Sequence, residues 1–196
     1  MQPVFLGGHP AIDFLNTTFS PQGITVETIG DGESLLRWMV EANLLDTPTA
    51  ASIRRRNSVT TLDAVAADAR KVRAWVTGWI DRWSRRPRDA YALELRRLNA
   101  LLKHGRTYRE IVATEERVKL VEREHMLDTG ELLALIAAQI AHLIAQEDPQ
   151  LIRHCGGASC TLRFLDRTKA HRRVFCSAAA CGNRAKVAAF RNRQRG

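Results

Sequence analysis

Cysteine and acidic residues are missing from complementary parts of this chain. No cysteine precedes Cys155, and a single acid, Asp166, follows Gln150. Long apolar runs are also lacking. The longest, Leu132 to Ala138, spans seven residues, against about 20 for a bilayer-spanning helix, so no membrane partner is expected. The first ten residues show no basic stretch leading into an apolar one, so a cytoplasmic location is expected, where structural disulfides are rare. Gly-rich phosphate loops, nucleophile elbows and His-Glu metal motifs do not occur, so no catalytic residue is assigned and an enzyme is not expected.

What is present divides in two. The 196 residues are 45% hydrophobic and 26% charged, the balance of an ordinary globular chain with room for one medium domain and a small module. Up to Gln150 there are 19 Lys/Arg against 20 Asp/Glu; from Leu151 onward there are 11 against one, a net of +10. The expected architecture is mainly α (α+β): a helical N-terminal domain over 1–150 with a small β-hairpin, then a zinc-binding module over 151–196 made of a short hairpin and a helix.

Apolar spacing places the helices. Leu35, Leu36, Met39, Val40 and Leu44 form one stripe after Asp31 or Gly32. Thr47-Pro48 reads as a cap with proline at the first helical position. Thr60 or Thr61 would cap a long helix whose apolar face runs from Leu62 to Trp83, with Trp75, Trp79 and Trp83 as core. Pro87 would open the next helix, turning Tyr91, Leu95, Leu98, Leu101 and Leu102 inward. Two β-branched runs, 111–114 and 118–121, flank Glu115–Arg117 as a hairpin. Asp128 and Glu131 make a capping-box start for an apolar helix from Leu132 to Ala145. Near the N-terminus, Asp13 and Asn16 are candidate lining residues of a ligand pocket beside His9; the alternative is that they cap a helix or fix a turn.

The four cysteines, Cys155, Cys160, Cys176 and Cys181, fall as two close pairs separated by 15 residues. That is ligand arithmetic for one structural zinc ion, each short loop offering two thiolates to one side of a tetrahedron. The competing readings are two disulfides, a redox couple or unrelated buried thiols; the spacing lacks the Cys-x-x-Cys of redox sites. Four thiolates close the shell, which disfavours a catalytic ion. His154 and His171 could substitute as ligands, yet read first as surface residues. Between the pairs, Thr161–Leu165 and Arg172–Phe175 are expected to pair as strands, with Phe164, Phe175 and Phe190 as the module's core.

A basic helix follows Cys181. On a helix Arg184, Arg191 and Arg195 lie within about 40° of one another, with Lys186 and Arg193 on roughly the opposite side. After the −2 of a zinc tetrathiolate, about +8 remains, the footprint of a phosphate-binding surface. The nucleic-acid candidates are Arg172, Arg173, Arg184, Lys186, Arg191, Arg193 and Arg195. DNA is favoured over RNA because an Arg-bearing helix suits the major groove and stacking aromatics are few.

The string Cys181-Gly182-Asn183-Arg184, with Phe164-Leu165-Asp166, Arg172-Arg173, Lys186 and Arg193 around it, resembles the CGNR zinc-finger family. Upstream, Asp13-Phe14-Leu15-Asn16-Thr17 resembles the ABATE domain paired with that finger. The resemblance covers nearly the whole chain and implies a transcription regulator: a DNA-binding zinc finger carried by a domain that senses a stress or a small molecule; on the residues alone, the body is expected to bind an effector or to form a homodimer. The alternative from a different class is a small-molecule-binding protein or enzyme in which the zinc module is only a structural clip or protein-interaction element.

Overall fold

The computed structural model describes residues 4–20, 23–105, 107–113, 118–124 and 129–195. Helix α1 (Pro10–Leu15) begins at His9, whose Nδ1 accepts the Ala11 N–H at 3.1 Å. Pro10 takes the first helical position, where its missing N–H leaves no bond unmade. A two-residue ladder follows, β1 (Thr18–Phe19) antiparallel to β2 (Val26–Glu27). Buried Arg73 ties this hairpin down, donating to the Glu27 carboxylate and to the Thr17 hydroxyl at 2.7 Å.

Helix α2 (Gly32–Glu41) starts as expected, Asp31 accepting the Ser34 N–H at 2.8 Å in a reciprocal cap. A Cβ on Gly32 would meet Leu62 Cβ at 2.3 Å, so only glycine lets this helix start press against the next long helix. Three starts differ from expectation. Helix α3 (Thr47–Arg56) is capped by Asp46, whose carboxylate accepts the Thr49 N–H at 2.7 Å and leaves Thr47 inside the first turn. Helix α4 (Val59–Trp83) is capped by Ser58, whose Oγ bonds the Thr60 and Thr61 hydroxyls as well as the Thr61 N–H. Helix α5 (Ala92–Leu102) begins five residues beyond Pro87, after turns that the Tyr91 hydroxyl closes on the Arg86 carbonyl at 2.8 Å. That delay leaves Leu95 exposed and Leu98 as the buried residue of α5.

Strands β3 (Thr107–Ala113) and β4 (Val118–Glu124) form the expected antiparallel hairpin, longer than the β-branched runs alone indicate. Its connecting residues lie outside the described residues. So does Asp128; helix α6 (Gly130–Gln146) starts at Thr129 without a side-chain cap. Helices α1, α2, α4 and α6 enclose one core around Phe14, Trp38, Leu36, Trp79 and Ile136. Phe14 tilts against Trp38 at 5.5 Å, and Trp75 stacks on Trp79 at 5.9 Å, so the tryptophan stripe is core and its outer edge. No helix among the described residues is long and apolar enough to cross a membrane.

After a turn at Pro149–Leu151, β5 (Ile152–His154) pairs antiparallel with β6 (Arg163–Leu165). This differs from the expected pairing of the 161–165 run with Arg172–Phe175. The Arg173 N–H is drawn to the Asp166 carboxylate at 2.9 Å, and the Val174 carbonyl to the Gly156 N–H at 2.8 Å, so neither is left for a ladder. A wide π turn, Ala178–Gly182, leads into the final helix, α7 (Asn183–Arg195).

The C-terminal module is built onto the body. Leu165 donates its N–H to the Gly7 carbonyl at 2.7 Å, and Ser20 donates its own to Thr161 Oγ1 at 2.8 Å. The Asn16 amide grips Arg163 at both backbone atoms, at 2.8 and 2.9 Å. Val4, Leu6, Phe19 and Val26 from the start of the chain complete the apolar cluster around Phe164 and three of the cysteines.

Candidate functional site

Two loops and the strand between them bring the cysteines together. Cys155 leaves the end of β5 with its N–H on the Leu162 carbonyl at 2.9 Å, and Cys160 closes the first loop with its N–H on the Gly157 carbonyl at 3.0 Å. Gly157 is needed for close approach: a Cβ there would stand 3.2 Å from both Cys160 Cβ and Cys181 Sγ. In the second loop Ser177 accepts the Ala180 N–H at 3.3 Å, and the π turn swings Cys181 back toward its partners.

All four sulfurs lie within 4.8 Å of one another. Cys160 and Cys176 are 3.9 Å apart, and Cys176 and Cys181 3.6 Å. A tetrahedron with zinc–sulfur bonds of about 2.3 Å has edges of about 3.8 Å. A disulfide requires about 2.05 Å, so the spacing fits a shared ion and not a covalent pair. The thiols' own electrostatics agree. Burial and the neighbouring thiols push Cys160 up to about 11 and raise Cys176 further. Against the same burial, N–H groups of Cys176 and Gly157 hold Cys155 below its ordinary value. Thiols raised in this way are held as thiolates when a bound cation balances their charge, as zinc does.

The arginines near this centre divide by what they touch. Arg184 donates to Cys181 Sγ at 3.0 Å, an outer hydrogen bond on a ligand atom. Arg173 points inward: it lies 4.1 Å over the Phe164 ring and donates to the carbonyls of Phe175 at 2.9 Å, Leu6 at 3.2 Å and Cys176. Arg172 is exposed, as are Lys186, Arg191 and Arg193 along α7. Arg195 ends that helix, and its side chain lies outside the described residues. Phe190, expected in the core, is 54% exposed and Val187 48%. Small residues of α7, Ala185, Ala188 and Ala189, instead face the first cysteine loop across a cleft of about 610 Å³.

Four residues, Asp166, Arg163, Asp81 and His154, have structural roles that the sequence alone does not assign. Asp166 is fully buried and accepts from the Thr168 N–H and hydroxyl and the Arg173 N–H, at 3.1, 2.6 and 2.9 Å. Its signal was its solitude as the one acid among eleven cations. Arg163 makes a bidentate pair with Asp81 of α4, at 2.9 and 2.8 Å, and His154 Nε2 stands 3.2 Å from the same carboxylate. Burial opposes ionisation of Asp81, but these partners hold its carboxyl well below the usual range. No local pattern links positions 81, 154 and 163.

Asp13 and Asn16 are committed to the fold around them. Asp13, 8% exposed, accepts the Gly7 N–H at 2.7 Å; burial lifts its carboxyl to about 6 despite that bond. Asn16 spends its amide on Arg163, as described above.

A mainly helical body bearing a closed four-thiolate centre and a basic terminal helix defines a zinc-finger protein, and the finger holds one structural zinc ion. The chain belongs to the ABATE family, whose description reads "putative stress-induced transcription regulator"; the match covers residues 8–147. Residues 152–194 match the CGNR zinc finger. No curated protein matches the chain.

Proposed function

We propose that this protein regulates transcription by binding duplex DNA through α7, with the helical body sensing a small-molecule effector or pairing two copies. The observation that carries the reading is the disposition of α7. It continues from the zinc centre with exposed Lys186, Arg191 and Arg193 along it, and no acid lies after Asp166 to neutralise them. Arg172 adds a further exposed cation from the loop before Cys176. Arg173 and Arg184 serve this interface by shaping it, since their guanidinium groups are bonded to backbone carbonyls and to a cysteine sulfur. One module of this size reaches few base pairs, so an operator of two half-sites read by a dimer fits it best.

The body's part in this reading falls to α1. Its Asn16 grips the finger and its Phe14 sits in the main core. An effector that shifted the core would therefore move the finger through α1.

The test is a salt titration of the full-length, zinc-loaded chain on random-sequence duplex. A truncation at Gln150 would strip Gly7, Asn16 and Asp81 of their partners, so the comparison is with Lys186→Ala/Arg191→Ala/Arg193→Ala. Each phosphate contact contributes about −0.9 to the log–log slope, so the triple variant should lose about 2.7 from it. A shallow slope in the parent, or one unchanged in the variant, would remove α7 from any DNA interface.

A further inference from the structure

Helix α7 carries a stripe that neither the zinc centre nor the phosphate contacts account for. Asn183, Val187, Phe190 and Gln194 are spaced by four, three and four residues, which keeps them within about 60° on a helix. All four are exposed. Lys186 and Arg193 lie about 70–90° to one side of the stripe's centre, and Arg191 about 70° to the other, while Arg184 is held against Cys181 Sγ. The opposite face, with Ala185, Ala188, Ala189 and Asn192, lines the cleft against the first cysteine loop. The helix thus has an inner face of small residues, two basic edges and an outer strip of two amides and two apolar side chains.

That order of groups matches a duplex groove. The basic edges would reach the two phosphate backbones, and the central strip would meet base edges. Asparagine and glutamine each present a donor and an acceptor in the geometry that pairs with adenine N6 and N7, and apolar side chains pack on the thymine methyl. Arginine, the residue that reads guanine, is missing from the strip's centre. The strip is about 16 Å long, the span of about five base steps. A second copy of the chain is a poor occupant, because docking strip on strip would bring the basic edges of both copies together.

We propose that Asn183, Val187, Phe190 and Gln194 are the specificity-determining residues of this protein and that they read a short A·T-rich segment in the major groove. This rests on the DNA-binding reading above and deepens it.

The experiment is selection from a random duplex library with the full-length zinc-loaded protein, followed by affinities of Asn183→Ala and Gln194→Ala on the selected site and on single-pair substitutions. The expected result is enrichment of A·T pairs over four or five contiguous positions. Each variant should lose about 5- to 140-fold of preference at one position while keeping the parent's salt slope and one equivalent of zinc. Gln194 lies in the last turn, far along the helix from the cysteines, so its variant tests the strip even where Asn183→Ala disturbs the metal centre. Steep salt dependence without base preference, enrichment of G·C pairs, or a preference unchanged in Gln194→Ala would overturn the inference and leave the DNA-binding reading standing. A dimer that Phe190→Ala dissolves, with base preference unaltered, would assign the strip to a second copy and overturn it too. Absence of salt-dependent duplex binding by the parent would overturn both readings at once.

Discussion

Replacing Asn16 with alanine should weaken the joint between finger and body while leaving its other contacts in place. The side chain is 1% exposed, and its amide bonds both the N–H and the carbonyl of Arg163, at 2.9 and 2.8 Å. It acts as a third strand one residue long against β6. Alanine removes both partners at once and leaves two backbone groups in a pocket closed to easy hydration. Each unsatisfied group costs roughly 1–3 kcal/mol, and Arg163 is only half-buried, so the expected loss is about 2–4 kcal/mol. With a urea slope of about 2 kcal/mol/M, the unfolding midpoint should fall by about 1–2 M. All four tryptophans lie in α2 and α4, so fluorescence reports the body while a chromophoric chelator reports the metal. Asn16→Asp keeps an acceptor for the N–H but sets a carboxylate against the Arg163 carbonyl, and it should be nearly as damaging. A midpoint for Asn16→Ala within about 0.3 M of the parent would refute the claim that this amide joins the two parts.

Chelating the zinc, or making Cys181→Ser, should lower the body's thermal midpoint as well as disorder the finger, because Leu6, Phe19 and Val26 lose the cluster they pack on; an unchanged tryptophan melt would contradict this. Arg184→Ala should retain the fold but surrender zinc to a competing chelator about 10-fold more readily, since it removes a hydrogen bond to a ligand sulfur, and equal competition would count against that role. Asp13→Asn should stabilise the protein at pH 7 by on the order of 1–3 kcal/mol. The folded carboxyl is raised to about 6 by burial, so its charged form is penalised above that pH; below about 4 it is protonated folded or unfolded, and the advantage should vanish in a pH series of urea melts. His9 acts in the opposite sense: burial lowers its value below 6.5 and its neutral Nδ1 caps α1, so its contribution is complete above 6.5 and is lost as pH falls from there through the lowered folded value. His9→Asn keeps a capping acceptor, and its melts should lack that acid-side decline; a decline as steep as the parent's would clear His9 of it.

The parts of this molecule that the sequence made legible are those whose cause is local. The cysteine spacing is a property of two loops, and its consequence, four sulfurs within one coordination shell, needs no long-range information. The stripes of α2, α4 and α6 follow from one helix period each. Caps went astray by one to three residues where several hydroxyls or carboxylates competed within a turn, as with Asp46 before Thr47 and Ser58 before Thr60. Phe190 was misassigned because a small apolar module invites every phenylalanine inward, whereas its real core is completed by Val4, Leu6, Phe19 and Val26 from the other end of the chain. The strand partner of β6 was missed for a related reason: the Asp166 carboxylate captures an N–H that a ladder would have used.

That sharing of core has a thermodynamic consequence. The segment after Gln150, with eleven cations and one acid, does not close its apolar cluster by itself: Val4, Leu6, Phe19 and Val26 complete it. Zinc binding supplies part of the deficit, and the body supplies the rest through Asn16, Gly7 and Asp81. The finger's folding is then a function of two variables, metal occupancy and the position of α1. Asp81 makes the second contribution conditional, because it lies near the end of the 25-residue α4 whose middle forms the core. Any change in how α1 and α4 pack is transmitted to Arg163 at two points, through the backbone by Asn16 and through the side chain by Asp81. Arg163 in turn stands in the strand between the two cysteine loops. Losing either contact alone should therefore be tolerated better than losing both, and the Asn16→Ala/Asp81→Ala double variant should cost more zinc affinity than the two single variants predict by addition. Strict additivity in chelator competition would mean that the body holds the finger without conditioning it.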